Sequence, residues 1–239
     1  MWNGKSLAVV LPTYNEAQSI RECIDGFMNL GVVDRVVVVN NNAHPDTTAE
    51  VALTSAIVVH EPVQGYGSAI RRGLHETRDF DLVCLCEPDG TFEPSDLLKL
   101  LPYTADVDVV LGSRTVQTFI FSGANMGRFL RHGNWAVAKL AEVLYDTVSL
   151  SDAGCTFRVI SRRAIDVMSP NFRGLGSDFG FEMMLVAARL RLPLVQLPVR
   201  YKERVGLSSV TGSRAKAVVL GLQMIVLCVR LRFARRLSA

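Results

Sequence analysis

Short apolar runs rich in β-branched residues recur through the first half of the chain, at residues 7–11, 35–39, 57–59, 82–86 and 107–111. Runs of this length, apolar at nearly every position, predict strands buried on both faces, as in a parallel sheet. Between them lie segments with helical spacing or a helix-opening signal, at 16–30, 46–54, 66–77 and 94–101. Pro94-Ser95-Asp96 opens the last, with proline where a missing N–H costs nothing. Strand and helix in alternation predict an open, mostly parallel α/β sheet. Ligands of such sheets bind beyond the carboxyl ends of the strands. The residues that follow each strand therefore carry the chemistry.

The second half is less regular: a long helix over 126–145, a strand over 155–160, a helix over 180–190 and a strand over 194–201. A loop follows, then a final helix from residue 213. No repeat or linker interrupts the chain, which divides into a body, 1–212, and a C-terminal helix, 213–239. Residues 217–229 carry no charge and are apolar almost all round. Thirteen residues cover about 20 Å, short of the roughly 30 Å of a bilayer core, so this is not a spanning helix. It is either a buried core helix or one that lies on a membrane surface. Arg230, Arg232, Arg235 and Arg236 beside it favour the second reading. A homo-oligomer contact through this helix is the other use for it.

Charge sharpens that picture. A net +3 is too small for a nucleic-acid binder, but it is unevenly spread. From Arg200 onward nine basic residues face one acid, Glu203, a local +8, whereas the rest holds 17 basic and 22 acidic residues. An acidic body with a basic tail suits an anionic membrane surface. Hydrophobic residues at 49 % and charged ones at 21 % provide for a core and argue against disorder. The five cysteines form no CxxC and read as free thiols of a reducing compartment. No signal peptide precedes the first strand, since Gly4 and Lys5 run straight into it. The expectation is a cytoplasmic protein, peripheral on the inner membrane face.

The strongest site signal is Cys86-Glu87-Pro88-Asp89-Gly90-Thr91, directly after the fourth strand. Two carboxylates one residue apart, on a turn made by Pro88 and Gly90, suit Mg²⁺ or Mn²⁺ shared with diphosphate oxygens. Other strands end in Pro12-Thr13-Tyr14-Asn15-Glu16, Asn40-Asn41-Asn42, Gln64-Gly65-Tyr66-Gly67-Ser68-Ala69 and Gly112-Ser113-Arg114. Polar groups for a base and ribose, glycines for close backbone approach and an arginine for phosphate fit a nucleotide crevice. His44, His60, His75 and His132 are scattered, and none is assigned chemistry.

These motifs resemble glycosyltransferase family 2, and within it the dolichyl-phosphate mannose synthases and bacterial polyprenyl-phosphate glycosyltransferases. The likeness extends through Asp152-Ala153-Gly154-Cys155-Thr156-Phe157-Arg158, Phe181-Glu182-Met183, Pro198-Val199-Arg200-Tyr201 and Arg204-Val205-Gly206-Leu207-Ser208-Ser209, covering roughly residues 5 to 215. It implies a GT-A fold, a nucleotide-diphosphate sugar donor (GDP-mannose or a UDP-sugar), a divalent metal and inversion at the anomeric carbon. Its acceptor would be a polyprenyl or dolichyl phosphate. By the same resemblance Pro12, Tyr14 and Glu16 flank the nucleoside, Gly67 lies close to the nucleotide-sugar and Asn41 meets the base or ribose. Asp89 ligates the metal with Glu87 as second ligand. Arg114 with Arg128 or Arg131 meets the acceptor phosphate, and Arg204 with Ser208 or Ser209 closes over the diphosphate. Asp89, Arg114 and Arg204 are then the catalytic set. The chain departs from the family at Asn40 and Asn41, where Asp is usual, and at Glu87, where the triplet usually begins with Asp.

The phosphate oxygen of such an acceptor is already ionised near neutral pH, so no strong general base is required. Negative charge grows on the departing diphosphate, where the metal and Arg204 would stabilise it. Other readings are weaker. A dinucleotide oxidoreductase would need GxGxxG on the first strand, but here Ile70 takes the third glycine's place after the third strand. A nucleotidyltransferase would want a glycine-rich basic loop where this chain has residues 12–16. A family 2 enzyme with a soluble or glycan acceptor, and a non-catalytic nucleotide-sugar-binding module, remain as alternatives.

Overall fold

The computed structural model describes residues 1–206 and 214–234. Seven strands form one sheet: β1 (Leu7–Thr13), β2 (Arg35–Asn40), β3 (Ile57–His60), β4 (Leu82–Leu85), β5 (Val109–Ser113), β6 (Arg158–Ser161) and β7 (Leu194–Pro198). Their order is β3-β2-β1-β4-β6-β5-β7. All pairings are parallel except those of β6, which runs antiparallel to both β4 and β5. The sheet is thus the expected GT-A-like α/β architecture, mostly parallel, with one reversed strand, β6, between β4 and β5.

The helices are α1 (Ile20–Met28), α2 (Pro45–Ala52), α3 (Tyr66–Glu76), α4 (Leu97–Leu100), α5 (Arg128–Tyr145), α6 (Arg162–Met168), α7 (Phe179–Arg189) and α8 (Arg214–Phe233). Alternate strand residues feed two cores, as the two-residue pleat requires. On one face Val9, Leu11, Val36 and Val38 pack with Ile24 and Phe27 of α1 and with Leu97 and Leu100 of α4. On the other, Val10, Val37, Val39, Val83 and Val109 meet α3, α5, α6, α7 and α8. The edge strand β3 is the exception to the predicted double burial, with Ile57 and Val58 exposed.

The reversal of β6 matters for the site. Arg158 pairs with Leu85 and with Leu111, near the carboxyl ends of β4 and β5. The segment leading into β6, residues 152–157, is thereby delivered to the rim where the parallel strands end. An apolar run alone carries no strand direction, so this placement was not foreseen.

Helix α8 has two apolar sides. Met224 and Cys228 are buried in the main core, and Leu220, Leu227 and Leu231 pack against it. The Tyr145 hydroxyl of α5 donates to the Cys228 carbonyl at 2.9 Å. Val218, Val219, Leu222, Ile225, Val226, Val229 and Phe233 face outward and are exposed. Arg232 does not stand free on that outer face, as a purely membrane-facing role would have it. Its Nε donates to the Leu144 carbonyl at 2.7 Å, satisfying the end of α5. Arg235 and Arg236 lie outside the described residues. No described helix is long and apolar enough to cross a membrane.

Candidate active site

A cavity of about 520 Å³ opens at the rim. Pro12, Thr13, Tyr14 and Glu16 from the end of β1 line it, with Asn41 beyond β2 and Gln64, Gly65 and Tyr66 at the start of α3. Glu87, Pro88, Asp89 and Thr91 come from the turn after β4, and Arg114 from beyond β5. Gly154 and Thr156 lead into β6, Gly176 and Ser177 into α7, while Tyr201 and Arg204 follow β7. Leu220 of α8 completes the wall.

The carboxylate turn is tightly built. Gly90 sits at φ +78°, a conformation that costs a side chain steric strain. One oxygen of the buried Asp89 accepts from the Thr91 N–H at 3.0 Å and the Thr91 hydroxyl at 2.6 Å. Ser19 of the α1 N-terminus donates to the Pro88 carbonyl at 2.7 Å. The other Asp89 oxygen, Oδ2, therefore has a fixed aim, and it faces Arg204 Nη1 at 2.7 Å. Burial, then the like charge of Asp89, pushes the Glu87 carboxyl up to about 7. The same guanidinium lies 3.9 Å from Glu87 and 3.4 Å from Glu16.

Among the described residues no three metal-ligating side chains cluster, so the chain itself offers the two carboxylates Glu87 and Asp89. That number suits Mg²⁺ or Mn²⁺, which fill their remaining positions with water and phosphate oxygens. The pair already receives a cationic group from Arg204. The residues therefore fit such an ion.

Arg114 is fixed from behind. Its N–H, Nε and Nη2 donate to Asp152 at 2.8, 2.9 and 3.0 Å, and its guanidinium carbon lies 5.2 Å from the Tyr201 ring centre. Burial works against the Arg114 charge, but the Asp152 carboxylate outweighs it and holds the group protonated. Asp152 itself is held below the usual carboxylate range, since Arg114 more than offsets its burial.

Several expected contacts are placed differently. Asn41 lines the cavity, yet its amide is spent on the loop ahead of α3 rather than held out for a base. It donates to the Glu61 and Val63 carbonyls, both at 2.8 Å, and accepts from Gly65 N–H at 2.8 Å and Gln64 at 3.2 Å. Asn40 likewise binds Thr48 and the Ala43 N–H. Glu16 folds its own turn, with Oε2 accepting from Thr13, Tyr14 and Asn15. Pro12 and Tyr14 do stand in the wall. Gly67 lies behind it, donating to the Leu175 carbonyl at 2.9 Å. Arg128 and Arg131, on the first turn of α5, are outside the wall, and the Arg131 guanidinium donates to Gln117. Ser208 and Ser209 lie outside the described residues. Asp152, Tyr66, Tyr201, Ser177 and Leu220 belong to the site without having been singled out as site residues. The glycines at 174 and 176 were the available signal for the loop that carries Ser177.

Comparison with known proteins follows the same lines. The profile of glycosyl transferase family 2 matches residues 8–168. The low-salt glycan biosynthesis hexosyltransferase Agl6 of Haloferax volcanii is 30 % identical over 84 % of this chain, which spans only 49 % of that protein. A dolichyl-phosphate hexose transferase of the same organism is 29 % identical over 95 % of both chains. An undecaprenyl-phosphate mannosyltransferase of Micrococcus luteus is 29 % identical over 85 % of this chain and 86 % of its own. Among solved structures, glucosyl-3-phosphoglycerate synthase of Mycobacterium tuberculosis with Mn²⁺, UDP and phosphoglyceric acid superposes with a TM-score of 0.76. That match has 18 % identity and covers 98 % of this chain and 80 % of the synthase.

Proposed function

The chain belongs to glycosyl transferase family 2, and we propose that it moves a hexosyl group from a nucleotide-diphosphate sugar to a polyprenyl phosphate, with inversion at the anomeric carbon. One observation carries the lipid acceptor. The cavity that gathers Asp89, Arg114 and Arg204 also takes Leu220 into its wall, from a helix whose outer face is apolar. The names of the dolichyl- and undecaprenyl-phosphate relatives support the same acceptor class.

In this reading Pro12 and Tyr14 flank the nucleoside, and Glu16 keeps the turn that carries them. Asp89, with Glu87 beside it, would hold a Mg²⁺ or Mn²⁺ ion, which would supply Lewis-acid stabilisation to the departing diphosphate. Arg204 adds a guanidinium to that diphosphate, where paired donors act most strongly on developing charge. Arg114 presents a pre-set cation to the acceptor phosphate, and its Asp152 clamp removes the cost of ordering it. Arg128 and Arg131 meet the acceptor from the rim. The outer face of α8, with Arg230 at its end, rests on the anionic cytoplasmic surface of the membrane.

The test is direct. The protein is incubated with Mn²⁺, a panel of UDP- and GDP-sugars, and either a short polyprenyl phosphate or soluble acceptors including phosphoglycerate, and products are read by mass. A glycosylated soluble acceptor with none on the lipid would sink the proposal.

A further inference from the structure

Arg204 stands where a cation is wanted. Its guanidinium is 2.7 Å from Asp89 Oδ2, 3.9 Å from Glu87 Oε2 and 3.4 Å from Glu16 Oε1. The segment that carries it is laid onto the carboxylate turn by backbone bonds: Lys202 N–H to the Thr91 carbonyl at 2.8 Å and Val205 N–H to the Asp89 carbonyl at 2.9 Å. A Cβ on Gly90 would approach Val205 to 2.9 Å, so the two segments are in close contact. One positive group thus contacts three carboxyl groups, the cavity's other cation, Arg114, being paired with Asp152, so the local positive charge is short. Its Nε is buried with no hydrogen-bond partner among the described residues, although a buried polar group normally finds one. This arrangement is incomplete by charge and by hydrogen bonding.

A nucleotide diphosphate bound with a divalent ion would repair both deficits. The ion brings two positive charges to the carboxylates, and the diphosphate brings acceptor oxygens for the guanidinium, Nε included. The two cations compete for the same Asp89 oxygen, since an ion bound there requires Arg204 Nη1 to leave it.

Building on the glycosyltransferase reading, we propose that Arg204 and the divalent ion are alternative occupants of the Glu87–Asp89 pair, and that the diphosphate exchanges one for the other. The free protein then binds metal poorly, and nucleotide and metal bind together. Arg204 has two successive partners, the carboxylates before the donor arrives and the diphosphate afterwards.

Mn²⁺ binding, followed by the electron paramagnetic resonance of the free ion, tests this without turnover. For the wild-type chain, affinity for Mn²⁺ alone is expected to be weak and to rise strongly with UDP or GDP. Arg204→Met removes the competing charge and is expected to bind Mn²⁺ alone about tenfold more tightly, the scale of one charge-assisted hydrogen bond. Its gain from added nucleotide shrinks. Arg204→Gln repeats the test with a neutral polar group, and circular dichroism checks the fold of both. Lys202→Met removes a neighbouring charge that pairs with Glu93 instead, so its Mn²⁺ affinity should match the wild type. Equal or weaker Mn²⁺ binding by both Arg204 variants, or equal tightening by Lys202→Met, overturns the exchange while leaving the enzyme reading intact. Absence of Mn²⁺ binding in every protein, even with nucleotide, overturns both.

Discussion

Asp152 grips Arg114 at three points, its backbone N–H, its Nε and its Nη2, and is itself fully shielded from water. Lysine at position 114 keeps a charge but cannot reproduce the planar fork. Arg114→Lys is expected to raise the acceptor KM more than the donor KM. Arg114→Ala, which strands the buried carboxylate, should cost about 3–5 kcal/mol of stability. Steady-state kinetics with each substrate varied, together with thermal melts, check the pair. A change confined to the donor KM would remove Arg114 from the acceptor side.

Asp89→Asn tests the carboxylate turn. An amide oxygen can still accept from the Thr91 N–H and hydroxyl, so the turn survives while the charge is lost. Turnover should fall by at least about 100-fold, the scale of one strong electrostatic element, with an unchanged circular dichroism spectrum. Near-normal turnover after complete chelation of metal would mean the pair is only a turn.

Gly67→Ala tests the back of the cavity. A Cβ there would lie 2.7 Å from the Gly174 carbonyl oxygen and 2.9 Å from backbone atoms of Leu175. These are backbone atoms, and Glu182 holds their loop through the Arg173 and Gly174 N–H groups at 2.7 and 2.6 Å. The loop must move to admit the methyl, at a cost of about 1–3 kcal/mol. Ser177 should be displaced with it, so lower activity and a lower Tm are expected together. An unchanged Tm would show that the loop yields freely.

The two sides of α8 predict opposite outcomes. Leu222→Ser with Val226→Ser alters only exposed positions, where each change is worth within about 0.5 kcal/mol of stability. Sedimentation with anionic vesicles should nevertheless drop severalfold, and lipid glycosylation should drop with it. Met224→Ser strikes the buried side and should cost about 2–5 kcal/mol, as truncation of a core methionine does. If the outer pair changes oligomeric state and leaves vesicle binding untouched, the face is a protein contact.

The parallel framework was legible because fully buried strands announce themselves as unbroken β-branched runs, and the carboxylate turn because Pro88 and Gly90 bracket Asp89. What escaped is information that a one-dimensional pattern lacks. Asp152 and Arg114 are 38 residues apart and meet only because β6 is reversed. An asparagine at a strand end does not declare whether it serves a ligand or its own loop, and Asn41 serves the loop. Arg128 and Arg131 carry the charge a phosphate site wants, but the first turn of α5 keeps them out of the cavity wall. Helix α8, apolar on both sides, has no periodicity from which to tell its inner face from its outer one.

That last property has a thermodynamic corollary. The same helix supplies Met224 and Cys228 to the core and leaves its opposite, apolar side exposed. Unfolding therefore dismantles the exposed side as well, and anything that binds only the folded helix raises the melting temperature by mass action. At a concentration 100 times its Kd, such a partner adds about 2.7 kcal/mol. For the proposed membrane contact, thermal stability measured in plain buffer, in detergent and on vesicles should form a graded series, in which the lipid acts as a reagent of folding.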